Sequence, residues 1–412
     1  MTVNKQEFVD VLIIGAGPSG SLASSLLNKA GINVLVLEKQ EFPRFSIGES
    51  LLPQLMVFLE DAGMLDVVNQ ANFQFKNGAA FSKNGQDSEF NFEKKFTKGP
   101  GTTFQVKRAE FDKRLADCAI EQGVPIRFKN EVLEIKELES GYQLKVKNDK
   151  DEDCQITCNF ILDASGFGRV LPRLLDLELP SNFPMRESIF CHIQDNISST
   201  DYDRNKILIC VNPLDQEVWY WLIPFSDGTS SIGVVAKPEY LSKIAGDAKE
   251  KLFTCIEQEP KLKKLLANAK PINQIQEIKG YSSNVKSLHG KNFALLGNAG
   301  EFLDPVFSSG VTIAFKSASL AATLLIKQKS ESNICWETEY AKPLMKGVNT
   351  FRKFVEAWYD GRLQDIIFYQ RSENEVKEMI SSILAGYAWD DENPYVSKSE
   401  RRLDALAKIC KA

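Results

Sequence analysis

The apolar residues of this chain fall into short runs near its start and into alternating or helical patterns further along. Val9 to Ile14 is a short apolar run, the pattern of a strand covered on both faces. Gly15-Ala16-Gly17-Pro18-Ser19-Gly20 follows, and Ser21 to Ala30 reads as a helix of small and apolar residues that Gly31 stops. Val34-Leu35-Val36-Leu37 is a second buried strand, and it ends on Glu38. Strand, glycine turn, helix and strand in this order and length open a doubly wound, Rossmann-like α/β domain.

Apolar residues at 111, 115, 118 and 119 predict a helix over Arg108 to Ala119. Strands are expected at Val132 to Val146 and at Gln155 to Leu162, the latter running into Asp163-Ala164-Ser165-Gly166. Glu187 to Ala236 is strand-rich, with Lys206 to Val211, Val218 to Pro224 and Ser230 to Val235, as for a sheet over a pocket. Phe293 to Leu296 is another buried strand leading to Gly297-Asn298-Ala299-Gly300, and Val311 to Lys327 is a close-packing helix of Ala and Ser. From about Ser330 the chain is helical, aromatic and charged. No repeat or low-complexity linker separates these parts, so the lobes should interleave. The expected division is a Rossmann-like nucleotide domain at 1–180 and 280–330, a β-rich α+β substrate domain at 181–279 and a helical region at 331–412.

Composition narrows the function classes. The 412 residues are 43% hydrophobic and 25% charged, which is ordinary for a globular protein. A net charge of −5 gives no support to nucleic-acid binding. No run approaches the roughly 20 apolar residues of a transmembrane helix, and the first residues lack the apolar core of a secretion signal. The expected location is therefore cytoplasmic. Eight cysteines are scattered; Cys154 and Cys158 form the only close pair, with no nearby histidine to complete a metal site. With only His192 and His289 available, a Ser-His-Asp or His-rich metal mechanism is not expected, and the chemistry should come from a cofactor or another side chain.

The glycine turn carries the first functional signal. Gly15 permits the tight turn, Gly17 lets backbone approach a pyrophosphate, and Gly20 lets the helix pack on the strand. The helix start at Ser19 and Gly20 then offers N–H groups and the positive dipole end. Glu38, followed by Lys39, lies where an acidic residue accepts hydrogen bonds from an unphosphorylated adenosine ribose. These residues leave the choice between FAD and NAD open.

Later segments favour FAD by resemblance. Arg108, before Phe111-Asp112, resembles the arginine that p-hydroxybenzoate-hydroxylase-like flavoproteins place near FAD. Asp163-Ala164-Ser165-Gly166 resembles their second nucleotide-contacting segment, which implies contacts from Asp163 and Gly166. Gly297-Asn298-Ala299 resembles their Gly-Asp-Ala segment, with the uncharged Asn298 where the acidic residue that holds the ribityl chain stands.

Two further motifs resemble the flavin-dependent halogenases, in particular their phenol- and pyrrole-acting branch. Trp219-Tyr220-Trp221-Leu222-Ile223-Pro224 matches W-x-W-x-I-P, and Phe302 to Gly310 matches F-x-x-P-x-x-S-x-G. The resemblance extends over nearly the whole chain, to Leu384-Ala385-Gly386-Tyr387-Ala388-Trp389-Asp390. It implies further FAD contacts at Arg44, Ser50, Pro305, Gly310 and Val311, a halide site at Ser309 and Gly310, and a substrate chamber lined by Trp219, Trp221 and Phe307. Lys76, in Phe73-Gln74-Phe75-Lys76-Asn77-Gly78, resembles the catalytic lysine of that family.

Read without the family, the same residues are more modest. A Trp-Tyr-Trp strand packs alternate rings on opposite faces of a sheet. The turn from Pro305 to Gly310 enters a helix, so its free N–H groups form either an anion nest or an ordinary helix start. A lysine beside Asn-Gly fits a solvated turn, although aromatic residues flank Lys76 on both sides. Phe354, Trp358, Tyr359, Phe368 and Tyr369 suit either a chamber wall or a core.

The resemblance implies a mechanism. A separate flavin reductase supplies reduced FAD, O2 converts it to a C4a-hydroperoxide, and chloride or bromide attacks that peroxide. The hypohalous acid reaches Lys76, which hydrogen-bonds it or forms a haloamine, and an electron-rich ring is halogenated. A haloamine requires a neutral amine, so burial should depress the Lys76 pKa. Tryptophan-acting members carry Glu where this chain has Phe307 and are longer at the C-terminus, which points to a small phenolic or pyrrolic substrate, free or held on a carrier protein. A geranylgeranyl-reductase-like enzyme is one alternative reading, since Phe42-Pro43-Arg44 and Gly48-Glu49-Ser50 occur in related form in both that group and the halogenases, and an FAD-dependent aromatic hydroxylase that uses the same hydroperoxide without halide is another. A flavin-binding partner or sensor without chemistry is a third.

Overall fold

The computed structural model describes residues 7–198, 200, 202–331, 333–369 and 374–411; the N-terminal residues 1–6 read above for a leader lie outside this set. The βαβ opening is present: strand Glu7–Ile14, helix Pro18–Lys29 and strand Val34–Glu38. The apolar run buries on both faces because it is the centre of a parallel arrangement. Spatially the order is His289–Gly290, Phe293–Leu295, Asp153–Asp163, Glu7–Ile14, Val34–Glu38 and Ile126–Phe128. Four of these strands end level, with Ile14 opposite both Asp163 and Leu37, and Asp163 opposite Leu295. The glycine turn, Glu38, Asp163 and Gly297 therefore meet along one carboxyl edge, where open α/β sheets bind their ligands.

The segment expected as one strand from Val132 to Val146 is a hairpin, Glu131–Glu137 and Tyr142–Lys147, folded back on Asp153–Asp163. Gly141 makes this possible: its φ is +88°, and a Cβ there would lie 2.0 Å from the Cys158 carbonyl. Helix Arg108–Glu121 covers the sheet near its glycine turn.

The second sheet contains Glu187–Gln194, Thr229–Ala236, Trp219–Pro224 and Lys206–Val211, flanked by Lys270–Pro271 on one edge. Its other edge is Gly78–Lys83 and Gln86–Asn91. These two strands fall within 1–180, the stretch expected above to form the nucleotide domain, yet they pair into the second sheet. The reason is that Gly78–Lys83 aligns in parallel with Lys206–Val211 and completes its hydrogen bonding. Strand alternation divides the residues of this sheet between two cores. Trp219, Trp221, Ile223 and Phe190 face the core shared with the nucleotide domain and the C-terminal helices. Tyr220, Leu222 and Ile232 face a smaller core under helices Ala248–Gln258 and Pro260–Leu265.

Helix Gly310–Lys327 is long and apolar enough to cross a membrane by length and composition, alone among the described residues, which the sequence reading did not register. More than half of it is buried inside the protein, packed against Pro18–Lys29, so a core helix accounts for its apolar surface. Helix Lys342–Tyr359 lays Phe351, Phe354 and Trp358 into the same core.

Close approach of the second sheet to its own aromatic cover depends on Gly233. A Cβ there would lie 2.3 Å from the Trp221 ring and 2.7 Å from Phe190 Cβ. Gly233→Ala should destabilise the protein by about 1–3 kcal/mol through overpacking, read as a lower midpoint in denaturant unfolding; an unchanged midpoint would show that the ring has room to move.

Candidate active site

The carboxyl edge builds the first part of the site. Gly15 has φ +98°, and a Cβ would meet the Ala164 carbonyl at 2.7 Å. A Cβ on Gly20 would lie 1.9 Å from the Gly15 carbonyl, so the turn closes only with glycine at both positions. At Gly17 the nearest atom to such a Cβ is Arg44 Nη2 at 3.5 Å, which leaves the turn open on that side with a guanidinium beside it. Helix Pro18–Lys29 starts with no side-chain cap and no acidic residue in its first turn, although Ser19 and Gly20 are buried there. Uncapped N–H groups, a positive dipole end and Arg44 together fit the pyrophosphate of FAD. Glu38 is buried and accepts from the Ala16 and Gln40 N–H groups, each at 2.9 Å. Its remaining lone pairs can take ribose hydroxyls. Lys39 instead sits on the surface, its amine 3.7 Å from Glu131.

Arg44 and Arg108 share one carboxylate. Asp112 receives Arg44 Nη1 at 3.1 Å and both Nε and Nη2 of Arg108, at 2.7 and 3.1 Å. Arg108 Nη1 also donates to the Ile47 carbonyl at 2.7 Å. Arg108 thus anchors the segment 47–51 from below. Asp112 was named in the sequence only as part of the helix; its i,i+4 spacing from Arg108 was the available signal.

Asp163 is fully buried, and desolvation raises its pKa although Ser165 and Leu171 N–H groups donate to it at 2.9 and 2.7 Å. Both oxygens serve the turn through Gly166 and the start of the next helix. Arg169, which no sequence pattern singled out, is buried with φ +45°. It donates to Ser283 Oγ at 2.6 Å and to the Asn284 and Asn298 carbonyls at 2.9 and 3.4 Å. It thereby ties the Asp163 turn to the Gly297-Asn298 turn. Asn298 Oδ1 lies 3.8 Å from the Cβ position of Gly310, so the ribityl candidate and the start of helix Gly310–Lys327 are neighbours.

That helix start forms the second part. Asp304 Oδ1 accepts from Val306 N–H at 3.0 Å and fixes the short turn Pro305–Phe307. Ser308 follows at φ +56°, and the helix begins with no side-chain cap and no acidic residue in its first turn. Ser309 and Val311 are buried beside Gly310, and the Thr312 hydroxyl is buried without a partner among the described residues. The arrangement suits an anion.

Lys76 is the third part. Strand Gln74–Lys76 alternates, turning Phe75 outward and Lys76 inward, where only 1% of it is exposed. This excludes the solvated-turn reading. Its amine donates to Ser50 Oγ at 2.8 Å and to the Leu51 carbonyl at 2.7 Å, with the Phe92 ring centroid 5.5 Å away. Burial lowers its pKa to about 7. The unfolded chain keeps that proton to a pH of roughly 10. Lys76 therefore penalises folding fully below pH 7, and the penalty fades as pH rises above it.

Of the expected chamber residues, Trp219 and Trp221 lie 6.0 Å apart, centroid to centroid, on the inner face of the sheet. Phe307 packs edge-on against Phe354 and Trp358. Trp358 in turn meets Phe81, four residues past Asn77. Of the C-terminal aromatics, Phe354 and Trp358 are thus core residues and Phe368 packs at its margin.

Comparison with known proteins accords with this geometry. An FAD binding domain family matches residues 8–331. A 1H-pyrrole-2-carbonyl-[peptidyl-carrier protein] brominase from Pseudoalteromonas luteoviolacea is 30% identical over 335 residues, 80% of each chain. The chain belongs to the flavin-dependent halogenases. The corresponding chlorinase from Pseudomonas fluorescens is 26% identical, covering 85% of this chain and 83% of its own. A tryptophan 2-halogenase from Chondromyces crocatus is 30% identical, over 91% and 75%. Among solved structures, a flavoprotein/dehydrogenase from Cytophaga hutchinsonii superposes with a TM-score of 0.95 at 41% identity, covering 98% of this chain and 99% of that one. The myxobacterial chondrochloren halogenase CndH superposes with a TM-score of 0.78 at 26% identity, over 98% and 97%. FAD is thus the cofactor of this halogenase, and halide its co-substrate.

A buried guanidinium, Arg108, and a partly exposed one, Arg44, on one buried carboxylate make Asp112 a sensitive point. Asp112→Ala should cost about 3–5 kcal/mol, chiefly by leaving the buried Arg108 uncompensated, seen in denaturant unfolding of the FAD-loaded enzyme. The purified variant should also retain less flavin, measured by absorbance. Full flavin retention and an unchanged midpoint would show that the arginines find other partners.

Proposed function

We propose that this halogenase transfers chlorine or bromine to a phenolic or pyrrolic ring, free or attached to a carrier protein, with Lys76 as its catalytic residue. The observation that carries the reading is the Lys76 amine, buried yet holding two acceptors. A neutral amine has two N–H bonds and one lone pair. Ser50 Oγ and the Leu51 carbonyl engage both N–H bonds, which leaves the lone pair free to orient hypohalous acid by hydrogen bonding or to attack its halogen; in the second case the O–halogen bond breaks and the hydroxide leaves as water with one of the amine's protons.

FAD in its reduced state supplies the electrons with which O2 is activated for halide oxidation. The chain's residues do the rest. Gly15, Gly17, Ser19, Gly20, Glu38 and Arg44 bind the ADP half, and Asn298 holds the ribityl chain. Backbone N–H groups of Ser309 and Gly310 orient the halide, assisted by the dipole of helix Gly310–Lys327. Trp219, Trp221 and Phe307 keep water from the oxidant. A separate flavin reductase is the electron source, and the cytoplasm is the setting that fits that supply.

The carrier-bound pyrroles named for two relatives support a pyrrolic substrate. The relative named for tryptophan makes that amino acid a necessary member of any panel. The deciding experiment supplies reduced FAD through an added reductase, with bromide or chloride, to phenols, free and carrier-bound pyrroles, and tryptophan. Halogenated phenol or pyrrole supports the proposal. Halogenated tryptophan alone overturns the substrate class, and hydroxylated or reduced product without halogen overturns the reaction.

Two outcomes test Lys76. Lys76→Ala should abolish halogenation, by at least about 100-fold given the typical worth of such groups, while FAD stays bound; wild-type turnover would reduce it to a packing residue. The wild-type rate should rise with pH through about 7, following the neutral amine, because only the unprotonated form has the lone pair. A rate that falls across that range would show that the ammonium form is the active one.

A further inference from the structure

Trp219 and Asp304 come from separate motifs on separate lobes, and a chain of buried hydrogen bonds joins them. The Trp219 indole N–H donates to Tyr359 Oη at 3.0 Å. Tyr359 O–H donates to Asp304 Oδ2 at 2.8 Å, and Tyr281 O–H donates to the same oxygen at 3.2 Å. The other oxygen, Oδ1, holds the Val306 N–H. Both carboxylate oxygens are therefore committed, one to two phenols and one to the backbone of the turn that precedes Ser309.

The two tryptophans differ in what their N–H groups do. Trp221 donates locally to Ser231 Oγ at 3.1 Å, within its own sheet. Only Trp219 reaches across to helix Lys342–Tyr359. Phenylalanine would keep a smaller aromatic ring in this position, but only an N–H donor fixes the Tyr359 hydroxyl so that its own proton points at Asp304. The Arg186 guanidinium lies 3.4 Å from the Tyr359 ring centroid, and its other contact is Glu217 at 2.8 Å. This cation offsets the Asp304 carboxylate, which would otherwise repel an anion at the adjoining helix start.

We propose that Trp219, Tyr359 and Asp304 are positioning residues for the halide, holding the turn Pro305–Phe307 so that the Ser309 and Gly310 N–H groups converge. The proposal rests on the reading of that helix start as the halide site. Donors fixed before the anion arrives bind it more tightly than donors that must be ordered by it. A positioning role predicts weaker halide binding, with flavin binding unaffected, when a single relay hydrogen bond is removed.

The test uses the FAD-loaded enzyme and two conservative variants, Tyr359→Phe and Trp219→Phe. Bromide affinity is read by competition against chloride NMR line broadening, and the KM for bromide is compared with kcat under halogenating conditions. Trp219→Phe removes one relay hydrogen bond and Tyr359→Phe removes two, and each should raise the bromide Kd by about 3- to 10-fold, with a matching rise in KM for Tyr359→Phe. The kcat of Tyr359→Phe at saturating bromide should change far less, whereas Trp219→Phe, whose ring also belongs to the proposed chamber, is judged on bromide Kd alone. Tyr220→Phe also loses two buried bonds, its donation to the Cys255 carbonyl and its acceptance from Asn212 Nδ2, on the outer face of the sheet, and should leave bromide affinity unchanged. If wild type binds bromide and the relay variants bind it equally well, the relay is overturned while the halide site stands. An equal loss in Tyr220→Phe overturns it too, as general softening. If wild type shows no bromide-dependent broadening, the halide site and the relay fall together. Should Tyr359→Phe fail to fold, Trp219→Phe carries the same expected and overturning results.

Discussion

A buried amine is tolerable only if its hydrogens are bonded, and the acceptors for Lys76 lie on one short segment, Ile47 to Leu51. That segment is held from every side. Arg108 grips the Ile47 carbonyl from the nucleotide domain, and strand Thr103–Gln105 takes up the backbone of residues 49–51. From the second sheet, His192 Nε2 reaches Glu49 at 2.5 Å, while Lys76 itself supplies the last two bonds. A slack segment would let water solvate the amine, and its pKa would return toward that of an ordinary lysine. The depressed pKa is thus a property of how firmly two lobes clamp five residues rather than of Lys76 alone.

The same segment follows directly from Arg44, whose guanidinium stands beside the Gly17 turn. Arg44 and Arg108 meet on Asp112, so the pyrophosphate cradle and the floor under Lys76 share one carboxylate. On the proposed reading of that cradle, a pyrophosphate at Arg44 and the floor under Lys76 would be linked through this shared charge.

Much of this was legible in the sequence where local physics decides the outcome. Glycines at 15, 17 and 20 have local steric reasons, and the apolar runs that bury on both faces gave the parallel strands to within a residue or two. Lys206–Val211 matched to the residue. Long-range pairing was not legible. Nothing in Gly78–Asn91 says which sheet it joins, because register across 128 residues depends on partners and not on its own alternation. Arg169 was equally silent, and Asp112 offered only its i,i+4 spacing from Arg108. A charged residue announces burial only when its partners are known, and three of the four partners of Arg169 lie more than a hundred residues away.

The aromatic residues show the limit most clearly. Read as side chains, Trp219 and Trp221 are a matched pair on one face of a strand, and either a chamber or a core would want them. Their difference lies in the indole N–H, which periodicity cannot see. One is satisfied on the neighbouring strand of its own sheet, and the other by a tyrosine on the C-terminal helix. A buried tryptophan N–H without an acceptor costs free energy comparable to a lost hydrogen bond, so the distant tyrosine is part of what makes tryptophan tolerable at 219. That tyrosine in turn donates to Asp304, whose other oxygen shapes the turn before the halide candidate. Conservation of volume at 219 would keep the core intact and still cut this connection, which separates the packing role of the ring from the positioning role of its single polar atom.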